Sequence, residues 1–591
     1  MSSAISSSAG AAAPVVSSAA VAVKAPLRVA GETVLWLVLA LFVFAIAVVP
    51  LLYTIDTAFF KETAYGLTTE RSLEAVLNVY TTSRYLQMLG SALLLAVLVT
   101  TFALTMGVLM AFLIGRTDLP ARGTLDVVVI MPMFLSPFTG LIAWMVLGSE
   151  RTGFINVALI AVLAKLGITS EPWINVWTYS GVVWVMSLFY VPYAYLFTVN
   201  NLRAMDGSLE EAARMNGATT LQAVMKITLP IMLPAIFAAG LLIFVLSAET
   251  YTIPGIVGST AGFTTLPWQI YADSTVAPLH RAHAAAAGTM LLWVTIGGII
   301  LQRRVTRVAE RFVTIGGKGW RNKPIPLGRW RWPAFGLVAL YILCAVGLPL
   351  SALAVFSFMK YSSAIFTVDL FTTKHYLDLW SLANTREALG NTLMLGLMSG
   401  AVCVLIGGLI SYVELRRKTR LAAIVAFIGV LPVAVPGIVY GIGLLWTYLR
   451  TPIYGTIWIL LLAYLAKFTP YAIVVSRTGI LQINRELEEC ARTCGATALQ
   501  SLRKVTMPIL KPTLIAIFFF VMLQSIKELS ASALLASERG PVLSVLTWSY
   551  MESGNFQFAA AVGLLQSLIM VGLLLLTRLV FRVKLERAAG H

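Results

Sequence analysis

Residues 209–234 read LEEAARMNGATTLQAVMKITLPIMLP, and residues 487–512 read LEECARTCGATALQSLRKVTMPILKP. The two stretches stand 278 positions apart and agree at 15 of 26 positions. The same offset joins Pro192-Tyr193-Ala194 to Pro470-Tyr471-Ala472, whereas Gly90-Ser91-Ala92-Leu93 and Gly390-Asn391-Thr392-Leu393 are 300 apart. A chain that repeats itself over such a distance is two copies of one unit. The first copy therefore carries about 20 extra residues, expected in the loop from Gly148 to Ile174.

Each quoted stretch predicts helix, sharp turn, helix. The acidic residues Glu210 and Glu211, and Glu488 and Glu489, suit a helix N-terminus, where the peptide dipoles favour negative charge. Asp206 and Asn484 are candidate N-caps. Gly217 and Gly495 can adopt the left-handed backbone that ends a helix at low steric cost. Thr219-x-x-Gln222 and Thr497-x-x-Gln500 have capping-box spacing, opening a second helix. Pro230 and Pro508, followed by Pro234 and Pro512, then fall in the first turn of the next helix. Small residues beside the acids (Ala212, Ala213; Cys490, Ala491) would let the first helix seat closely in a partner's groove.

Outside these stretches the chain is strongly apolar. It has 591 residues, 59% hydrophobic and 12% charged, with a mean hydropathy of +0.86. A soluble domain carries about twice that share of charge, so a cytosolic enzyme is excluded. Spanning helices need about 20 apolar residues each. Twelve such runs are expected, near 33–53, 88–115, 124–148, 176–198, 231–257 and 285–302, then 333–357, 389–414, 421–449, 456–476, 509–536 and 557–581. The fold class is an all-α integral membrane protein built from two parallel six-helix repeats.

With both termini in the cytoplasm, cytoplasmic segments hold 30 of the 43 basic residues and the opposite side 11, while Lys467 and Lys527 fall within spans. The net charge of +17 is thus largely an orientation signal, not a nucleic-acid surface. Residues 1–32 are expected to be a disordered cytoplasmic extension without a cleavable signal. The expected units are a first six-helix half over 33–302, a basic cytoplasmic linker over 303–332, a second six-helix half over 333–582 and a cytoplasmic tail over 583–591. Gly316-Gly317-Lys318 lacks the spacing of a phosphate loop. No metal site is expected. Cys490 and Cys494 have no further ligands nearby, and His280 and His283, without a neighbouring carboxylate or thiol in sequence, read as a solvated loop.

Glu211-Ala212-Ala213 with Gly217 and Pro230, and Glu489-Cys490-Ala491 with Gly495 and Pro508, resemble the signature loop of permease subunits of bacterial binding-protein-dependent ABC importers. Cys490 replaces the usual alanine but is small. Both halves carry the motif, so the resemblance covers most of the chain beyond residue 32. It implies a fused permease of the inner membrane whose two loops couple to two copies of an ABC ATPase subunit, with a periplasmic solute-binding protein delivering the solute. ATP and magnesium would sit on the ATPase subunits, and this chain would hold no cofactor. Arg151-Thr152-Gly153-Phe154-Ile155-Asn156 and Lys527 to Leu535 resemble the ferric-iron-type group, whose relatives also handle thiamine, polyamines or aminoethylphosphonate.

Charged residues inside spans are costly and mark pathways or interior pairs. Glu249 aligns with Lys527 by the 278 offset, and Glu528 follows directly. They line a pathway or form a structural ion pair between helices. Lys527 and Glu528 would point about 100° apart on a helix. Lys467 can snorkel to the cytoplasmic side. Pro132 and Pro137 interrupt the third span and Pro432 and Pro436 the ninth, either bending a pathway or serving packing. Two rival readings are a secondary transporter driven by an ion gradient and a membrane scaffold that recruits cytoplasmic proteins without transport.

Overall fold

The computed structural model describes residues 24–63, 66–168, 171–205, 207–309, 324–363, 367–417 and 419–581. Among the described residues, ten helices are long and apolar enough to cross a membrane, and twelve spans result when each of two bent helix pairs counts as one. In chain order the first half has Trp36–Thr57, Ser83–Arg116, the bent pair 122–148, Tyr179–Arg203, Thr220–Glu249 and Arg281–Leu301. The second half has Gly328–Ser357, Ala383–Arg416, the bent pair 420–448, Ile457–Leu481, Leu502–Ile526 and Phe556–Thr577. These are numbered one to twelve below. Among the described residues the only sheet is a hairpin, β1 (Phe60–Thr63) with β2 (Gly66–Arg71), following span one.

Each half is built on a close crossing of two spans. A Cβ on Gly107 of span two would overlap Ala194 of span four, and one on Gly407 of span eight would overlap Ala472 of span ten. Small residues bring the backbones together where lipid offers no hydrophobic drive for association. The halves also exchange their first spans. Span one lies on the second part of span nine, where the Tyr448 hydroxyl donates to the Ala45 carbonyl over 3.2 Å. Span seven lies against the first half, with the Tyr341 hydroxyl donating to Leu188 O at 3.1 Å. One apolar core runs through both halves.

Several boundaries differ from expectation. Residues 1–23 of the expected extension lie outside the described set, but helix begins at Lys24. Once an apolar run has nucleated a helix, adding residues is inexpensive, and Pro26 falls in the first turn, where its missing N–H costs nothing. Span six likewise continues as helix to Ala309 inside the expected linker, of which 310–323 lie outside the described residues, as does the tail 583–591. The linker's end is docked: Ile325 N donates to Arg116 O at 2.8 Å and Leu327 N to the Asp118 carboxylate at 2.9 Å. Spans five and eleven end before the expected 257 and 536, because their helices stop at Glu249 and Ile526.

The extra residues of the first half form the helix Phe154–Lys165. Its loop is pinned by buried Asn156, whose amide donates to the carbonyls of Ser149, Glu150 and Ile174 and accepts from the backbone N–H groups of Trp173 and Ile174. One side chain thereby satisfies five backbone groups.

Candidate functional site: paired docking loops and a charged junction

The repeated stretches fold as predicted, and alike. Helix Ser208–Met215 ends in Gly217 at φ +86°, and helix Arg485–Thr493 in Gly495 at φ +87°. In both, the N–H after the glycine returns to a carbonyl five residues back, Ala218 to Ala213 and Ala496 to Ala491, each at 3.0 Å. That is the Schellman closure, which needs the left-handed backbone glycine adopts cheaply. Capping boxes follow at Thr219/Gln222 and Thr497/Gln500. Asn484 caps its helix by accepting from Glu486 N at 3.1 Å, whereas Asp206 lies outside the described residues.

The second helix does not end before the span. It runs into span five or eleven through one wide turn, Val224–Thr228 or Leu502–Thr506. Pro230 and Pro508 stand two residues beyond those turns, and Pro349 stands likewise after the wide turn Leu343–Gly347. A proline cannot donate to the carbonyl four residues back, so the ladder loosens just ahead of it without breaking.

Within each acidic pair the two residues have different roles. Glu210 and Glu488 are buried, and Glu211 and Glu489 are exposed. Glu210 takes Arg116 Nη2 at 2.6 Å and the Thr228 hydroxyl at 2.6 Å. Glu488 takes Arg416 Nε at 3.0 Å and the Thr506 hydroxyl at 2.8 Å. Arg116 and Arg416 end spans two and eight, 300 residues apart. Each loop is therefore clamped to its own bundle at two points. Glu211, Ala212, Glu489 and Cys490 remain outward, with Ala213 and Ala491 half-buried beside them and Gly217, Gly495, Pro230 and Pro508 exposed. Met215 is 89% and Leu221 72% exposed at the first of these loops, which presents apolar side chains there to its surroundings.

Deeper in the bundle the halves meet at the broken spans. Span three bends by 97° between Phe134 and Pro137, and span nine by 112° between Ala434 and Gly437. Pro132 and Pro432 lie in the single-turn helices Met131–Phe134 and Leu431–Ala434 before the bends, while Pro137 and Pro436 stand where the second helices begin. Each bend leaves an open carbonyl end and an open N–H end. The charged residues meet these ends across the junction. Glu249 accepts from Gly437 N at 3.3 Å, and the Lys527 ammonium donates to the Met133 carbonyl. Glu528 takes Lys467 Nζ at 2.8 Å and Ala531 N at 3.0 Å.

These groups line a cavity of about 210 Å³ with Pro137, Tyr193 and Tyr471. A smaller space of about 40 Å³, reached past Glu249 and Lys467, is bounded by Pro432. Lys467 and Glu528 form an ion pair, and both side chains line the cavity. Lys467 is held by Glu528 and does not snorkel. The 100° argument for Lys527 and Glu528 does not apply, because the helix has already ended at Ile526.

One cluster was missed. His283 Nδ1 lies 2.8 Å from the Glu62 carboxylate, and His280 Nδ1 lies 4.0 Å from it. The carboxylate absent from the local sequence comes from β1, 221 residues away. No local spacing signals it.

A doubled helix-turn-helix element, clamped to two matching bundles that join at a charged cavity, defines a duplicated membrane permease. The family of binding-protein-dependent transport system inner membrane components matches residues 103–311 and again 403–587, and the chain belongs to that family. It carries two permease domains of an ABC importer in one multi-pass inner-membrane chain, and this sets aside the gradient-driven and scaffold readings. It is similar to the putative ferric transport system permease protein FbpB 1 of Haemophilus influenzae, 24% identical over 78% of this chain and 71% of that protein. The Fe(3+)-transport system permease protein FbpB 2 of the same organism is 23% identical over 89% of this chain and 94% of its own length. A putative 2-aminoethylphosphonate transport system permease protein, PhnV of Salmonella paratyphi A, is 26% identical over 37% of this chain and 80% of its own. A chain of a solved bacterial ABC transporter involved in alginate import is 18% identical over 43% of this chain and 97% of that one, with a TM-score of 0.34.

Proposed function

We propose that this chain passes ferric iron, delivered by a periplasmic binding protein, through the junction cavity, driven by two ATPase subunits docked on the loops at 208–218 and 485–496. ATP and magnesium belong to those subunits, and both termini lie on their side, the cytoplasm. The observation that carries the reading is the pair of clamps Arg116–Glu210–Thr228 and Arg416–Glu488–Thr506. A loop held to its bundle at two points transmits a push from a docked motor as movement of whole spans. Two equivalent loops suit two equivalent motors.

The ferric assignment is supported by the two FbpB relatives, which extend over most of the chain. The cavity's mixed lining of two ammonium and two carboxylate groups favours a second reading, a zwitterionic solute such as aminoethylphosphonate, in line with the PhnV relative. The deciding experiment is uptake by proteoliposomes containing the full complex, supplied with binding protein loaded with radioactive ferric iron or labelled aminoethylphosphonate. ATP-dependent accumulation of iron supports the first reading. Accumulation of the phosphonate alone overturns it.

A further inference from the structure

By the count of crossings, the face opposite the docking loops carries the hairpin β1–β2, the helix Glu74–Thr81 and the start of span six. There Glu62, His280 and His283 place a carboxylate and two imidazoles so that their ligand atoms all lie within 4.8 Å of one another. The Glu62 side chain is only 6% exposed. One of its oxygens, Oε2, faces His283, while the buried Oε1 has no hydrogen-bond partner among the described residues. An acceptor left bare in this way costs about 1–3 kcal/mol, and more when charged, so it calls for an occupant.

We propose that Glu62, His280 and His283 form a binding site for a divalent first-row transition ion of the zinc class. Two imidazoles with one carboxylate and open positions for water are the donor set such ions select. His283 is already oriented, with Nδ1 directed at Glu62 and Nε2 held by the Asn78 amide at 3.2 Å. Coordination through Nδ1 needs the other neutral tautomer: the Nδ1 proton passes to solvent, a solvent proton binds Nε2, and the Asn78 amide turns over so that its oxygen accepts from Nε2–H. That second contact is the kind that fixes the ring and tautomer of a metal-bound histidine. The His280 ring, about half exposed, can swing the short distance that closes the triad. The ion would fasten the hairpin to the mouth of span six, joining residues more than 200 positions apart.

This inference is independent of which solute is carried, and its test involves no transport. The full chain, without a histidine tag and with Cys490→Ser and Cys494→Ser, is placed in lipid nanodiscs and titrated with Zn²⁺ calorimetrically and with Co²⁺ by visible absorption. One ion per chain is expected, with the absorption of a low-coordinate Co²⁺ site. Glu62→Gln and His280→Ala should each weaken binding at least tenfold, and Asn78→Ala by about tenfold. His280 is exposed, so its replacement leaves folding intact and decides the matter even if Glu62→Gln lowers stability. Absence of a stoichiometric site, or undiminished affinity in the combined Glu62→Gln, His280→Ala, His283→Ala chain, overturns the proposal.

Discussion

Glu249 and Lys527 occupy equivalent positions in the two halves, yet they carry opposite charges and cap opposite ends of the opposite half's broken span. The carboxylate meets the N–H end at Gly437, and the ammonium meets the carbonyl end near Met133. Each sign suits the end it faces, because helix N-termini favour anions and C-termini cations.

Exchanging the two charges should therefore fail. Glu249→Lys combined with Lys527→Glu keeps net charge and composition but sets each charge against the wrong helix end, at about 0.3–2 kcal/mol per site. The doubly exchanged chain is expected to melt below the native one and to lose most uptake. A doubly exchanged chain of native stability and activity would remove the capping account.

The clamps should matter more than the outward acids. Glu210→Ala strands buried Arg116, a change worth about 3–5 kcal/mol when a buried pair is broken, and Glu488→Ala, which strands part-buried Arg416, should cost somewhat less. Glu211→Ala and Glu489→Ala, on exposed positions, should leave stability within about 0.5 kcal/mol. Chemical unfolding in detergent compares the four variants. A double-mutant cycle on Arg116 and Glu210 should return a coupling larger than that of the exposed pair Arg485–Glu489.

At Gly217 and Gly495 the backbone conformation sets the outcome. A Cβ at either position meets nothing within 4 Å, so bulk does not oppose substitution. The positive φ does, at roughly 1–2 kcal/mol for a residue with a side chain, more if β-branched. Gly217→Val and Gly495→Val should each loosen ATPase binding in pull-down and lower uptake, while Gly217→Asn should retain most of both. Full coupling in both valine variants is the adverse result.

Asn156→Ala removes the hydrogen bonds its side chain makes to five backbone groups, although Ser149 O still accepts from Gly153 N. Loss on the order of 3 kcal/mol is expected from those lost bonds. The helix Phe154–Lys165 should become sensitive to external protease in the variant and resist it in the native chain.

The repeat, the helix-turn-helix shape of its loops and the membrane class could all be read in the sequence because their signals are local. Glycine, capping box and proline lie within 26 residues, and each acts on its own neighbourhood. The charged residues could be picked out for the same reason, as costly groups in apolar runs. Their partners could not be read. That Lys467 pairs with Glu528, or that Glu249 reaches Gly437 across 188 residues, depends on packing that no periodicity encodes. Span ends were misjudged where an apolar stretch continues past a charge, since hydropathy reports solvent preference and not where the hydrogen-bond ladder stops. Glu62 was passed over because its histidines lie more than 200 residues further on, at the start of span six.

The exchange of first spans has a consequence for how the protein is made. Span one is synthesised early, but the Tyr448 hydroxyl that meets it lies 403 residues later. At about 5–20 residues per second, the ribosome needs roughly 20–80 s to deliver that partner. Through that interval the opening helix waits in lipid with one flank uncovered, and the native bundle closes only after most of the second half has emerged.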